Sequence, residues 1–146
     1  MAQTIEQERG RQAWENIQEI KSKDKSSDKS LEKKYRSLAR GLNAMIQING
    51  LGQTLGFLKA KGKSDSNSEH YLLLAHLTKW MSDSNHFKAS NNASMTRGHD
   101  GLLRWVTDEA TSSADYRRAT TEVMAYGAWL RRFAEAELKE PDTGDQ

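Results

Sequence analysis

The chain contains no cysteine, which excludes disulfides, thiolate zinc sites and thiol catalysis. Its one proline, Pro141, lies close to the C-terminus, so nothing before it breaks a helix. No apolar run approaches the ~20 residues that a helical membrane span needs. The opening residues Met1-Ala2-Gln3-Thr4 lack the basic and apolar blocks of a secretory leader, so a cytoplasmic protein is expected. Alternating β-branched runs are missing too, which leaves no competitor to an all-α fold. Gly62-Lys63-Ser64 lacks the upstream glycine of a P-loop.

What remains is 146 residues, 36% hydrophobic and 29% charged, enough for one core and a polar surface. The expected architecture is a compact all-α bundle of five to six helices in a single domain, 1–140. Within it, 1–23 is expected as a peripheral first helix that packs loosely, with a narrow stripe of Ile5, Ala13, Trp14, Ile17 and Ile20. Segment 82–97 is expected as a flexible loop, and 141–146 as a disordered acidic tail. Apolar periodicity predicts further helices over 69–81, 100–108 and 114–138.

The organising stretch is 31–62. Leu31, Tyr35, Leu38, Leu42, Met45 and Asn49 recur at steps of four and three, the stripe of one helix, with Ser30 as its expected N-cap. Asn49-Gly50 ends that helix, because both residues tolerate a left-handed backbone. Leu51, Leu55 and Leu58 begin another at once, which Lys61-Gly62 closes. Gly52 and Gly56, four apart, are expected to let another backbone approach.

Enzyme chemistry finds little support. His70 and His76 are six apart, the wrong spacing for two ligands on one helix face, so they, His86 and His99 are expected as surface or loop residues. Glu109, Asp115 and Glu122 are expected at caps or on a helix exterior. No metal, cofactor or catalytic residue is predicted.

Charge is the stronger signal. Residues 21–40 carry eight basic side chains against three acidic ones, whereas 133–146 carry five acidic against one basic, in a chain of formal net charge +2. A polyanion partner, or head-to-tail pairing between copies, follows from that asymmetry; a solvated helix face is the alternative. The basic candidates for contacting phosphates are Lys29, Lys33, Arg36 and Arg40 in one row, Lys59 and Lys61 after the corner, and Arg117, Arg118, Arg131 and Arg132 on the last helix. Trp14, with Glu135 and Glu137, is the candidate protein interface.

Two blocks carry a family resemblance. YRSLARGLNAMIQINGLGQTLGFLKAKG (35–62) and YRRATTEVMAYGAWLRRFAEAEL (116–138) together resemble the small α-helical subunit of the type III-B CRISPR effector, the Cmr complex. Two departures stand out: relatives often carry proline where this chain has Asn43, and a more usual alanine is replaced by Gly56. The resemblance implies a non-catalytic helical bundle. It implies copies stacked as a minor filament beside backbone and large subunits, helping to form the groove for target RNA held by its backbone beside the guide. An independent cytoplasmic helical adaptor without nucleic-acid binding is the other reading.

Overall fold

The computed structural model describes residues 3–83 and 92–141. Among the described residues there are six α-helices and one 3₁₀ turn, and no strand. They are α1 (Ile5–Lys23), α2 (Ser30–Asn49), α3 (Leu51–Gly62), α4 (Glu69–Asp83), the 3₁₀ turn Asn92–Thr96, α5 (Gly101–Val106) and α6 (Ser113–Glu137).

α2 and α6 form the antiparallel axis of the bundle. Beyond one end of α2, the Gly52 amide at the start of α3 donates to the Tyr116 hydroxyl of α6 at 2.8 Å. At the other the Lys139 amide donates to Glu32 Oε1 at 3.0 Å. Midway, Asn43 Nδ2 donates to the Met124 carbonyl at 2.9 Å. A proline would carry no such donor, so the departure at Asn43 adds a tie between the two helices. Gly127 makes room for it, since a Cβ there would sit 2.6 Å from Asn43 Oδ1.

The buried stripe of α2 is Tyr35, Ala39, Leu42 and Ile46, together with Glu32 and Arg36. It is rotated from the expected one: Leu31, Leu38 and Met45 are only partly buried and Asn49 is exposed. The observed stripe runs at the same alternating steps of three and four, so spacing alone does not choose between the two; the packing of α6 against α2 does. Ser30 is not the N-cap. Lys29 takes that place at φ 56° without a side-chain cap, and buried Asp24 caps from a distance, its Oδ2 accepting from the Glu32 amide at 3.0 Å.

Gly50, at φ 87°, ends α2 and starts α3. Its carbonyl accepts from both the amide and the hydroxyl of Thr54. Of the two corner glycines, only Gly52 meets a neighbour, the Tyr116 hydroxyl; Gly56 faces open space.

α1 is not loosely attached. Thr4 and Gln7 close a capping box at its start, and Ala13, Ile17 and Ile20 are fully buried. Gly10 admits the Trp129 ring, which would lie 3.2 Å from a Cβ there. The narrow stripe suffices because α6 presents Tyr126, Leu130 and Ala134, all fully buried. α4 is central, burying Leu72, Leu73, Leu74, Leu77, Trp80 and Met81; each such side chain contributes roughly 1.5–3 kcal/mol. Of segment 82–97, residues 84–91 lie outside the described residues, and with them His86. Asn92–Thr96 is tied down by buried Met95, whose carbonyl oxygen lies 2.1 Å from where a Cβ on Gly101 would stand. The tail positions 142–146 also lie outside the described residues.

Candidate nucleic-acid interface

The basic middle and the acidic end of the chain meet each other. Lys21 pairs with Glu137 at 3.2 Å, Arg36 with Glu140 at 3.5 Å, and Arg40 with Glu135 at 3.1 Å. Because α2 and α6 run antiparallel, the start of one lies beside the end of the other, and the sequence asymmetry is partly neutralised within the molecule. Glu135 and Glu137, expected to face another copy, are therefore occupied at home.

The row Lys29, Lys33, Arg36 and Arg40 does not survive intact. Arg36 belongs to the buried stripe, 8% exposed, and its Nε finds no hydrogen-bond partner among the described residues. Its guanidinium cannot face a ligand in solvent; it anchors the end of α6. Lys29 and Arg40 are exposed and Lys33 is half-buried.

On α6, Arg117 and Arg131 are fourteen residues apart and so fall nearly on one stripe, as do Arg118 and Arg132 on the next. All four are exposed or partly so, Arg131 with half of its side chain in solvent. Arg118 pairs with Asp115 at 2.7 Å and Arg131 with Glu135 at 3.5 Å, while Arg117 and Arg132 form no ion pair among the described residues. Lys61 is exposed, but Lys59 is held by Asp100 at 3.1 Å, which also takes Arg104 at 3.0 Å. Burial raises the Asp100 carboxyl, but hydrogen bonds and charge from Arg104 and Lys59 outweigh it and bring it down to about 2.

Trp14 remains 43% exposed, its ring edge-on to Phe133 at 5.4 Å. Phe133 touches Trp129 in turn, at 5.5 Å. The three rings form an aromatic step on the outer side of α1 and α6.

Two buried polar groups depart from the sequence reading. Glu122 is not on a helix exterior: it is 8% exposed, grips Arg9 through two bonds of 2.7 and 2.8 Å, and accepts from Trp80 Nε1 at 3.0 Å. Its spacing of three from Ala119 and four from Tyr126, both fully buried, is the local signal that places it on the inward face. His76 is not a surface histidine but 4% exposed, with Nε2 at 3.0 Å from Glu19 and Nδ1 at 2.7 Å from the Tyr35 hydroxyl. The His76 hydrogen bond holds the Glu19 carboxyl below its usual range against the effect of burial. Both arrangements satisfy buried polar groups. Among the described residues, no three His, Asp or Glu side chains converge as a metal site would require, and no helix is long and apolar enough to cross a membrane.

Comparison with known proteins places this fold. A family model described as CRISPR-associated protein (Cas_Cmr5) matches residues 5–137. A protein of Thermus thermophilus described as CRISPR system Cmr subunit Cmr5 is 28% identical over 109 residues, 73% of this chain and 76% of its own length. The X-ray structure of a CRISPR-associated Cmr5 family protein, also from Thermus thermophilus, superposes with a TM-score of 0.68 at 23% identity. The superposition covers 94% of this chain and 100% of that one, a likeness of fold.

Proposed function

This chain belongs to the Cas_Cmr5 family of CRISPR-associated proteins, and from that premise we propose that it is a non-catalytic subunit of a type III-B Cmr effector complex in the cytoplasm. In this reading copies of it stack into a minor filament beside the backbone and large subunits. Its outward basic side lines the groove that receives target RNA beside the guide.

The observation that carries the RNA-facing part is the placement of Arg40, Arg117, Arg131 and Arg132, all reachable from solvent, on α2 and α6, which are tied through Asn43 at their middle and through Glu32 near one end. Guanidinium groups on a rigid support bind phosphates without reading sequence. Each exposed contact is worth roughly 0.2–1 kcal/mol, so useful affinity comes from several stacked copies acting together. The aromatic step at Trp14 and Phe133 is the surface available for a protein neighbour. With Arg36 buried and Lys59 committed to Asp100, neither belongs to the proposed RNA face.

The test is target-RNA capture by a reconstituted complex carrying Arg117→Glu with Arg132→Glu. Reversing two charges should weaken capture about tenfold at low salt and flatten its salt dependence, with the complex still assembled. Unchanged capture and salt dependence would show that this side does not face RNA.

A further inference from the structure

One carboxylate on α6 stands between arginines from two helices. Glu135 Oε2 lies 3.1 Å from Arg40 Nε on α2 and 3.5 Å from Arg131 Nε, one turn away on α6. Beside it, an open depression over the seam is lined by Ser37, Arg40, Gly41 and Arg131. A Cβ on Gly41 would meet nothing within 4 Å, so the floor is open to an approaching backbone. The side chains of Arg40, Arg131 and Glu135 are 56, 51 and 36% exposed and within reach of a ligand.

The charges do not balance. Two guanidiniums present about ten N–H donors in two planar forks, and a single carboxylate oxygen contacts both. The surplus is one positive charge with donors open to solvent. A phosphodiester, with one negative charge and two free oxygens, matches what is left over and can take the place of the carboxylate.

We propose that Arg40 and Arg131 form one phosphodiester-binding clamp across the α2–α6 seam, with Glu135 as the internal counter-ion that an RNA strand displaces. This rests on the RNA-facing reading above and deepens it. Glu135 competes with the strand, so the unbound clamp is partly masked, and Glu135 is a positioning and masking residue that does not itself bind RNA.

The test measures capture of fluorescent target RNA by the reconstituted complex, by anisotropy over a series of salt concentrations. Glu135→Gln should bind about fivefold tighter at low salt, the scale of one unscreened charge at contact distance in water. Its salt slope should steepen by about 0.7 for each phosphate gained. Glu15→Gln makes the same change in net charge beside Arg11 on α1 and should shift binding far less. Arg40→Gln and Arg131→Gln should each weaken binding, with effects that do not add. Equal shifts for Glu135→Gln and Glu15→Gln, no gain for Glu135→Gln, or no measurable binding by any variant overturns the clamp. The wider reading fails separately, on the Arg117 and Arg132 reversal in the assembled complex.

Discussion

The indole of Trp80 donates to Glu122 at 3.0 Å while its ring lies flat on Tyr126, centroids 4.9 Å apart and planes within 5°. Tyr126 in turn meets Asn16 through its hydroxyl, and Glu122 holds Arg9. α1, α4 and α6 are thus joined by one polar cluster inside an apolar core. Such a cluster stabilises only while every member has its partner. Glu122→Ala strands Arg9 and the Trp80 N–H and should cost about 3 kcal/mol. Chemical denaturation followed by far-UV circular dichroism would measure the loss.

The glycines separate by what surrounds them. Gly101→Ala would drive a Cβ to 2.1 Å from the Met95 carbonyl, and Gly62→Ala to 2.5 Å from the Tyr71 amide. In both places the obstacle is backbone, so the substitution should cost more than about 2 kcal/mol. Gly56→Ala meets open space inside a helix and should stabilise by about 0.5–1 kcal/mol. Thermal unfolding of the three variants side by side should show two falls and one rise.

Acid should find Asp100. Its carboxyl titrates at about 2 in the folded chain against an ordinary 3.8. The folded state therefore favours the carboxylate, and the resulting stability is present in full above the ordinary value. It fades as pH falls from 3.8 toward 2. The loss is on the order of 2 kcal/mol, reduced by the exposure of Lys59 and Arg104. Asp100→Asn should be less stable than the parent at neutral pH and should flatten this part of the acid limb; an unaltered limb would contradict the assignment.

Lys29 sets stability against the proposed role. It occupies a left-handed backbone at φ 56°, which costs a residue with a Cβ roughly 1–2 kcal/mol. Lys29→Gly should therefore raise the melting temperature while removing one exposed cation near the start of α2. If the side chain contributes to RNA capture, the more stable variant captures RNA less well. A fall in melting temperature would show that the strain at this position is relieved by other means.

Helix positions were legible from periodicity because amphipathic stripes and cap residues are local. α3 begins after Asn49-Gly50 and closes at Gly62 as read, and α4, α5 and α6 lie within a few residues of their expected bounds. The rotation of α2 was not legible. Leu31, Leu38 and Met45 look as apolar as Tyr35 and Leu42, and the choice among them is made by α6, far along the chain. The buried charges were hidden for the same reason. Glu122 lies 113 residues from Arg9, and Glu32 lies 107 from the Lys139 amide that uses it. A charged side chain at an inward position reads as an exterior residue until its partner is known. The basic candidates shared this fate: Arg36 and Lys59 carry the right chemistry, but Glu140 and Asp100 claim them.

Gly50 is the whole connection between α2 and α3. An elbow one residue long has no slack. An added amino acid there would displace α3 against its neighbours, pulling Leu51, Leu55 and Leu58 from their buried places and Gly52 away from Tyr116. Length changes should be far better tolerated between Gly62 and Glu69, where the chain has room to bulge.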